Sequence, residues 1–162
     1  MSWREAFLRQ AQSDNQVRRR LNAPEIENSH RLHYLQMVAE KLAKAGLTNP
    51  ETVDPPKTSH NAFVRFLQTL KGQKNIQRQL GYKHRKAFAH FVDSLLPQAA
   101  KIERLAPQAA GTTLPNPEYP WRDPKTGAIT APADYDFPEF DPSRSDMLRI
   151  EKMIDQLLLL IQ

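Results

Sequence analysis

The sequence predicts an all-α protein, an up-and-down bundle of about five helices with one proline-rich segment wrapped around it. Three observations predict this. Apolar residues recur at steps of three and four through several separate stretches, the period of a helix that buries one face. No stretch alternates polar and apolar residues as a half-buried strand does. Eight of the 13 prolines fall between residues 106 and 142, where no long helix can then form. A chain of 162 residues fits one domain, 1–162, and 40% hydrophobic with 25% charged residues is the composition of an ordinary globular chain.

Each element has its own signal. Ser2-Trp3-Arg4-Glu5 reads as a capping box, with Ser2 as N-cap and Glu5 reaching back to it. Trp3, Phe7, Leu8 and Ala11 follow at helical spacing, and the helix is expected to run to Leu21, before Asn22-Ala23-Pro24. A second helix is expected over 26–45, where Leu32, Leu35, Ala39 and Leu42 mark one face and Gly46 acts as the stop. Residues 48–57 read as a loop. Thr58 or Ser59 caps a third helix carrying Ala62, Phe63, Phe66, Leu67 and Leu70. Lys71-Gly72 ends it, and 76–80 is a short helical turn. A fourth helix covers 83–105, lined by Phe88, Phe91, Val92, Leu95, Leu96, Ala99, Ile102 and Leu105, with a kink or break expected at Pro97. The proline-rich stretch carries Tyr119, Trp121, Tyr135, Phe137 and Phe140, too many aromatics for a disordered linker. The last helix spans 143–161. Its end, Leu157 to Ile161, is apolar all round, which points to burial between neighbours or against a second subunit.

The composition excludes several classes. There is no cysteine, hence no disulfide, no thiol catalysis and no cysteine-ligated zinc. No P-loop or dinucleotide fingerprint is present among only five glycines. No cofactor and no metal are expected. His30 and His33 sit three apart on one helix but lack a third ligand nearby. The N-terminus has no apolar leader and no stretch approaches 18 apolar residues, so a cytoplasmic protein without membrane contact is expected.

Charge is uneven. Residues 1–117 carry 18 Lys+Arg against 9 Asp+Glu, a balance of +9; residues 118–162 carry 5 against 9, a balance of −4. No acidic residue lies between Asp54 and Asp93, whereas Lys57, Arg65, Lys71, Lys74, Arg78, Lys83, Arg85 and Lys86 do. Such a run either contacts phosphate backbones or forms a solvated face.

The order of motifs resembles the HEPN family (higher eukaryotes and prokaryotes nucleotide-binding domain). The residues that carry the resemblance are Ala11-x-x-Asp14, then Gln36-x-x-Ala39-Glu40-Lys41-x-x-Lys44-Ala45, then Ser59-His60, and Tyr119-Pro120 ahead of a final helix. The resemblance implies a helical bundle that often dimerises. It also implies either a metal-independent ribonuclease or a non-catalytic component of a toxin–antitoxin, defence or nucleotidyltransferase-associated system. Catalytic members pair an Arg with a His four to six residues on, the Arg to hold phosphate bidentately and the His to move a proton. Here Glu118 precedes Tyr119 where the family often has Arg, and no histidine follows His90. Arg85-x4-His90 has the spacing but lies well before Tyr119.

These features make Arg85 and His90 the candidate catalytic pair. Gln36, Glu40, Lys41, Lys44, His60, Lys83, Lys86 and Tyr119 are the candidate nucleic-acid or partner contacts. Each has a plainer reading as well. Glu40 and Lys44 suit an exposed i,i+4 ion pair, His60 a packed first-turn histidine, and Tyr119 and Trp121 packing onto the bundle. The preferred expectation is a homodimeric binding protein whose partner is RNA, a nucleotidyltransferase or an antitoxin. The rivals are a ribonuclease using Arg85 and His90, and a structural adaptor with no nucleic-acid role.

Overall fold

The computed structural model describes residues 1–51 and 61–161. The fold is all-α, as the sequence predicts. Seven α-helices occur among the described residues: α1 (Trp3–Arg20), α2 (Asn28–Leu47), α3 (Ala62–Leu70), α4 (Lys74–Gln79), α5 (Arg85–Arg104), α6 (Pro107–Ala110) and α7 (Ser145–Leu160). The long helices close on themselves. Helix α1 packs on α2, α2 on α3, α3 on α5 and α5 on α7, which returns to α1 and α2. One apolar cluster fills the enclosed space, with Leu32, Leu35, Leu42, Phe63, Phe66, Phe88, Val92, Leu95, Met147, Ile150 and Leu157 buried in it.

Helix α1 starts at the expected capping box: Ser2 Oγ accepts from Glu5 N at 3.2 Å, and Ser2 N donates to Glu5 Oε2 at 2.8 Å. The second helix corrects the expectation at its end. It continues through Gly46 to Leu47, so Gly46 is not a stop. Its lack of a side chain serves packing instead, because a Cβ there would lie 2.1 Å from Phe66 Cε2. The glycine lets α3 approach α2. Thr58, Ser59 and His60 lie outside the described residues. The start of α3 has no side-chain cap from Asn61. The Glu103 carboxylate of α5 takes that part, accepting from Phe63 N at 2.6 Å and Val64 N at 3.2 Å. Burial outweighs those two bonds and raises its pKa.

Pro97 does not break α5, which runs unbroken from Arg85 to Arg104. The proline removes one helical donor, but Pro97 and Asp93 both face solvent, where water can satisfy the freed carbonyl. Helix α4 matches the short turn expected near 76–80. Residues 111–144 do wrap the bundle. Trp121, Phe137 and Phe140 are buried, and Trp121, Tyr135 and Phe137 pack ring on ring with centroids 4.9–6.1 Å apart. The segment also holds a two-residue ladder that no alternation announced, β1 (Trp121–Arg122) against β2 (Ile129–Thr130). At the chain's end Leu157, Leu158 and Ile161 are buried within this chain, while Leu159 is 72% exposed.

Beyond Ala11 the buried face of α1 is polar: Asp14, Asn15 and Arg18. It stays buried because α2 and α7 supply counter-charges. Glu151 of α7 forms ion pairs with both Arg18 and Arg31, one to each carboxylate oxygen. Arg18 also donates to Asp155 Oδ1 at 3.0 Å and to Asn15 Oδ1 at 2.8 Å. Arg31 donates to Asn28 Oδ1 at 3.0 Å and to the Phe140 carbonyl at 2.8 Å, which fixes the wrapping segment to the bundle. Buried charges persist only where paired and hydrogen-bonded, and here three helices meet around one carboxylate.

Candidate functional site

The motif residues of α1 and α2 converge. Lys41 Nζ reaches Asp14 Oδ2 at 2.8 Å, and Gln10 Nε2 donates to Asp14 Oδ1 at 2.9 Å. Next to Lys41 in the chain, Glu40 accepts from Lys44 Nζ at 2.6 Å and Gln36 Nε2 at 3.2 Å. The Glu40–Lys44 pair is more enclosed than a free surface bridge. The Lys44 side chain is 14% exposed, and its ammonium stands 5.5 Å over the Phe7 ring. Burial works to raise the Glu40 carboxyl, but Lys44, Gln36 and Lys41 together hold it below its ordinary value.

These residues border a cleft of about 360 Å³ whose lining includes His33, Gln36, Glu40, Lys41, Glu118 and Tyr119. The far wall is set by Asn116, fully buried, whose Oδ1 accepts from Glu118 N at 3.1 Å and Tyr119 N at 2.7 Å. His33 Nδ1 lies 3.6 Å from Glu118 Oε2. The Tyr119 hydroxyl, hydrogen-bonded to Glu118 and beside its charge, has its pKa raised. Tyr119 is 56% exposed, whereas Trp121, two residues on, is buried. Four of the predicted contacts therefore share one cleft, Gln36, Glu40, Lys41 and Tyr119, with Lys44 against its rim through Glu40. Their charges are matched within the bundle, Glu40 by Lys44 and Lys41 by Asp14. His33 and Glu118 are the members that periodicity did not single out for this cleft. His30 is apart from them on the surface, 3.8 Å from Glu27. Among the described residues no group of His, Asp and Glu is placed to hold a metal ion.

The second group of predicted residues is elsewhere. Lys83, Arg85, Lys86 and His90 all lie at the start of α5, and all are exposed. Among the described residues their side chains form no ion pair or hydrogen bond; the same is true of Arg65, Lys74 and Arg78. Lys71 differs, being tied to Asp93. The first turn of α5 has no acidic residue and no side-chain cap, so Lys83, Arg85 and Lys86 stand at the positive end of a 20-residue helix. Cations there repel the helix dipole, an arrangement that lowers stability and concentrates positive potential. Arg85 and His90, five residues apart, point about 140° away from each other around the helix. Neither lines the cleft at Tyr119. His60 lies outside the described residues.

No family model, no curated protein and no solved structure matches this chain. Among the described residues no helix is long and apolar enough to cross a membrane.

Proposed function

We propose that this chain is a HEPN-like helical bundle that acts by binding rather than catalysis, with RNA as its partner at the α4–α5 face. The observation that carries this is the set of cations at the positive end of α5 that no group among the described residues neutralises. Phosphates would do so, releasing counter-ions as they bind. The reading as a HEPN-like bundle is supported by two approaches between distant parts of the chain: Tyr119 shares one cleft with Gln36, Glu40 and Lys41 of α2, and Lys41 reaches Asp14 of α1. Their paired charges suit a structural or docking role, and the cleft is the natural seat for a protein partner from a toxin–antitoxin, defence or nucleotidyltransferase system.

The divergent directions of Arg85 and His90 argue against catalysis by one chain. The test is incubation of the purified protein with labelled single-stranded RNA in excess chelator. Binding without cleavage is expected, weakening steeply between roughly 50 and 200 mM salt. Cleavage that disappears in His90→Ala would establish the ribonuclease reading instead. No binding at low salt would leave a structural adaptor.

A further inference from the structure

A smaller cleft lies between the start of α5 and α7, lined by Leu80, Tyr82, Phe91, Arg149, Lys152 and Gln156. One wall is aromatic and apolar. Tyr82 stacks on Phe91 with ring centroids 5.2 Å apart and planes inclined by 25°. Tyr82 also packs on Phe88 at 5.3 Å, and all three lining apolar residues rest on the core while keeping part of their surface open. Burial raises the Tyr82 hydroxyl pKa. The wall is rigid for a local reason. Helix α4 ends in paired capping bonds, Gly81 N to Arg78 O at 2.9 Å and Tyr82 N to Gln77 O at 3.0 Å, with Gly81 at φ +83°. Gln77 Nε2 adds a bond to the Tyr82 carbonyl at 3.0 Å.

The opposite wall is cationic. Arg149, Lys152 and Gln156 fall within about 60° of arc on α7. None makes a side-chain hydrogen bond or ion pair among the described residues. The acidic residues of the same helix are engaged elsewhere, Glu151 and Asp155 by Arg18, Arg31 and Arg19, and Asp146 by Arg144. A cleft of about 200 Å³ is below the usual range for a whole drug-sized ligand, roughly 300–1,000 Å³, so it takes one ring and leaves the rest of the ligand outside.

From this pairing of a fixed aromatic face with two uncommitted cations we infer that the cleft receives one unpaired base of a single-stranded RNA. The base lies against Tyr82 and Phe91, its adjoining phosphates meet Arg149 and Lys152, and Gln156 offers a donor and an acceptor to the base edge. The strand continues across Lys83, which follows Tyr82 directly, onto the α5 cations. This inference rests on the RNA-binding reading above and adds a strand preference to it.

The experiment is fluorescence anisotropy with a labelled ten-nucleotide oligo-uridine, the same length of duplex RNA, and polyglutamate as competitor. Single strand is expected to bind more tightly than duplex. Tyr82→Leu is expected to weaken the single strand about tenfold, the loss of one stacked base. Arg149→Ala with Lys152→Ala, on the exposed side of α7 where folding is not at risk, is expected to reduce the salt slope by about 1.4. Equal binding of duplex and single strand, with these variants unchanged and Lys83→Ala/Arg85→Ala/Lys86→Ala impaired, would overturn the cleft and leave the basic face. Displacement by polyglutamate as effective as by unlabelled RNA would make the occupant an acidic chain and overturn the cleft's base-binding role. No RNA binding by the wild type at low salt would overturn both readings.

Discussion

The cations at the α1–α2–α7 junction and those at the start of α5 are the same residue types under opposite constraints. Arg18 and Arg31 are 4% and 3% exposed; Arg18 is divided between two carboxylates and an amide, and Arg31 among a carboxylate, an amide and a backbone carbonyl. Lys83, Arg85 and Lys86 face water with no partner among the described residues, against a helix dipole that disfavours them. Charge in the first region is consumed in holding helices together. Charge in the second holds no other element in place among the described residues. A positive net charge of +5 alone would not have separated the two.

The largest way to strain this contrast is Glu151→Ala, which leaves two buried guanidinium groups short of a carboxylate. Removing one partner of a buried pair typically costs about 3–5 kcal/mol, so urea unfolding should show a loss of that size. Glu151→Gln, keeping shape and acceptor, should lose less. A change under about 1 kcal/mol in Glu151→Ala would mean that water already reaches the pair.

A pair of glycine substitutions sharpens the same contrast between filled interior and open face. Alanine normally stabilises a helix interior by up to about 1 kcal/mol relative to glycine. Gly46→Ala should instead destabilise by about 1–3 kcal/mol, because the buried Phe66 ring has nowhere to move. Gly72→Ala, whose Cβ would meet only Thr69 O at 3.7 Å, should be nearly neutral in thermal melts.

At the α5 face the sign reverses. Lys83→Ala/Arg85→Ala/Lys86→Ala should hold or raise stability, by about 0.3–1 kcal/mol, since it relieves repulsion with the helix N-terminus. Chemical denaturation checks this, and a clear loss of stability would show that these cations serve the fold after all.

The smallest expected effect is at Glu40. Its pKa is lowered in the folded chain, so it contributes stability above its unfolded value near 4.5, lost as pH falls through the folded value. Melting temperatures from pH 7 to pH 3 should fall less steeply in Glu40→Gln than in wild type, with the variant lower at neutral pH. Parallel curves would remove Glu40 from the acid response.

Much of this fold is legible in the sequence where apolar periodicity carries it. Leu32, Leu35, Ala39 and Leu42 on α2, and Phe88, Val92, Leu95 and Ile102 on α5, are buried as their spacing requires. Periodicity fails on α1, where the stripe through Asp14, Asn15 and Arg18 looks like a solvated face and is buried. A charged residue reads as exposed until its partner is known, and Glu151 lies 133 residues from Arg18. The cap on α3 was hidden for the same reason, since Glu103 reaches it from another helix. Gly46 is ambiguous in the sequence because a stop and a close approach use the same residue, and only the position of Phe66 separates them. Of the candidate site, Gln36, Glu40, Lys41 and Tyr119 are legible as a motif, while Glu118 stands where the resemblance implies an arginine and carries no signal of its own. The Tyr82–Arg149 cleft had no local signal, because its walls come from two ends of the chain.

The measurement that tests the division between committed and free cations most directly is the salt dependence of single-stranded RNA binding in wild type and in Lys83→Ala/Arg85→Ala/Lys86→Ala. With three phosphate contacts removed, the slope of log affinity against log salt should become shallower by roughly 2, at about 0.7 per contact, while the protein remains folded. An unchanged slope, or wild-type affinity that ignores salt, would contradict the account.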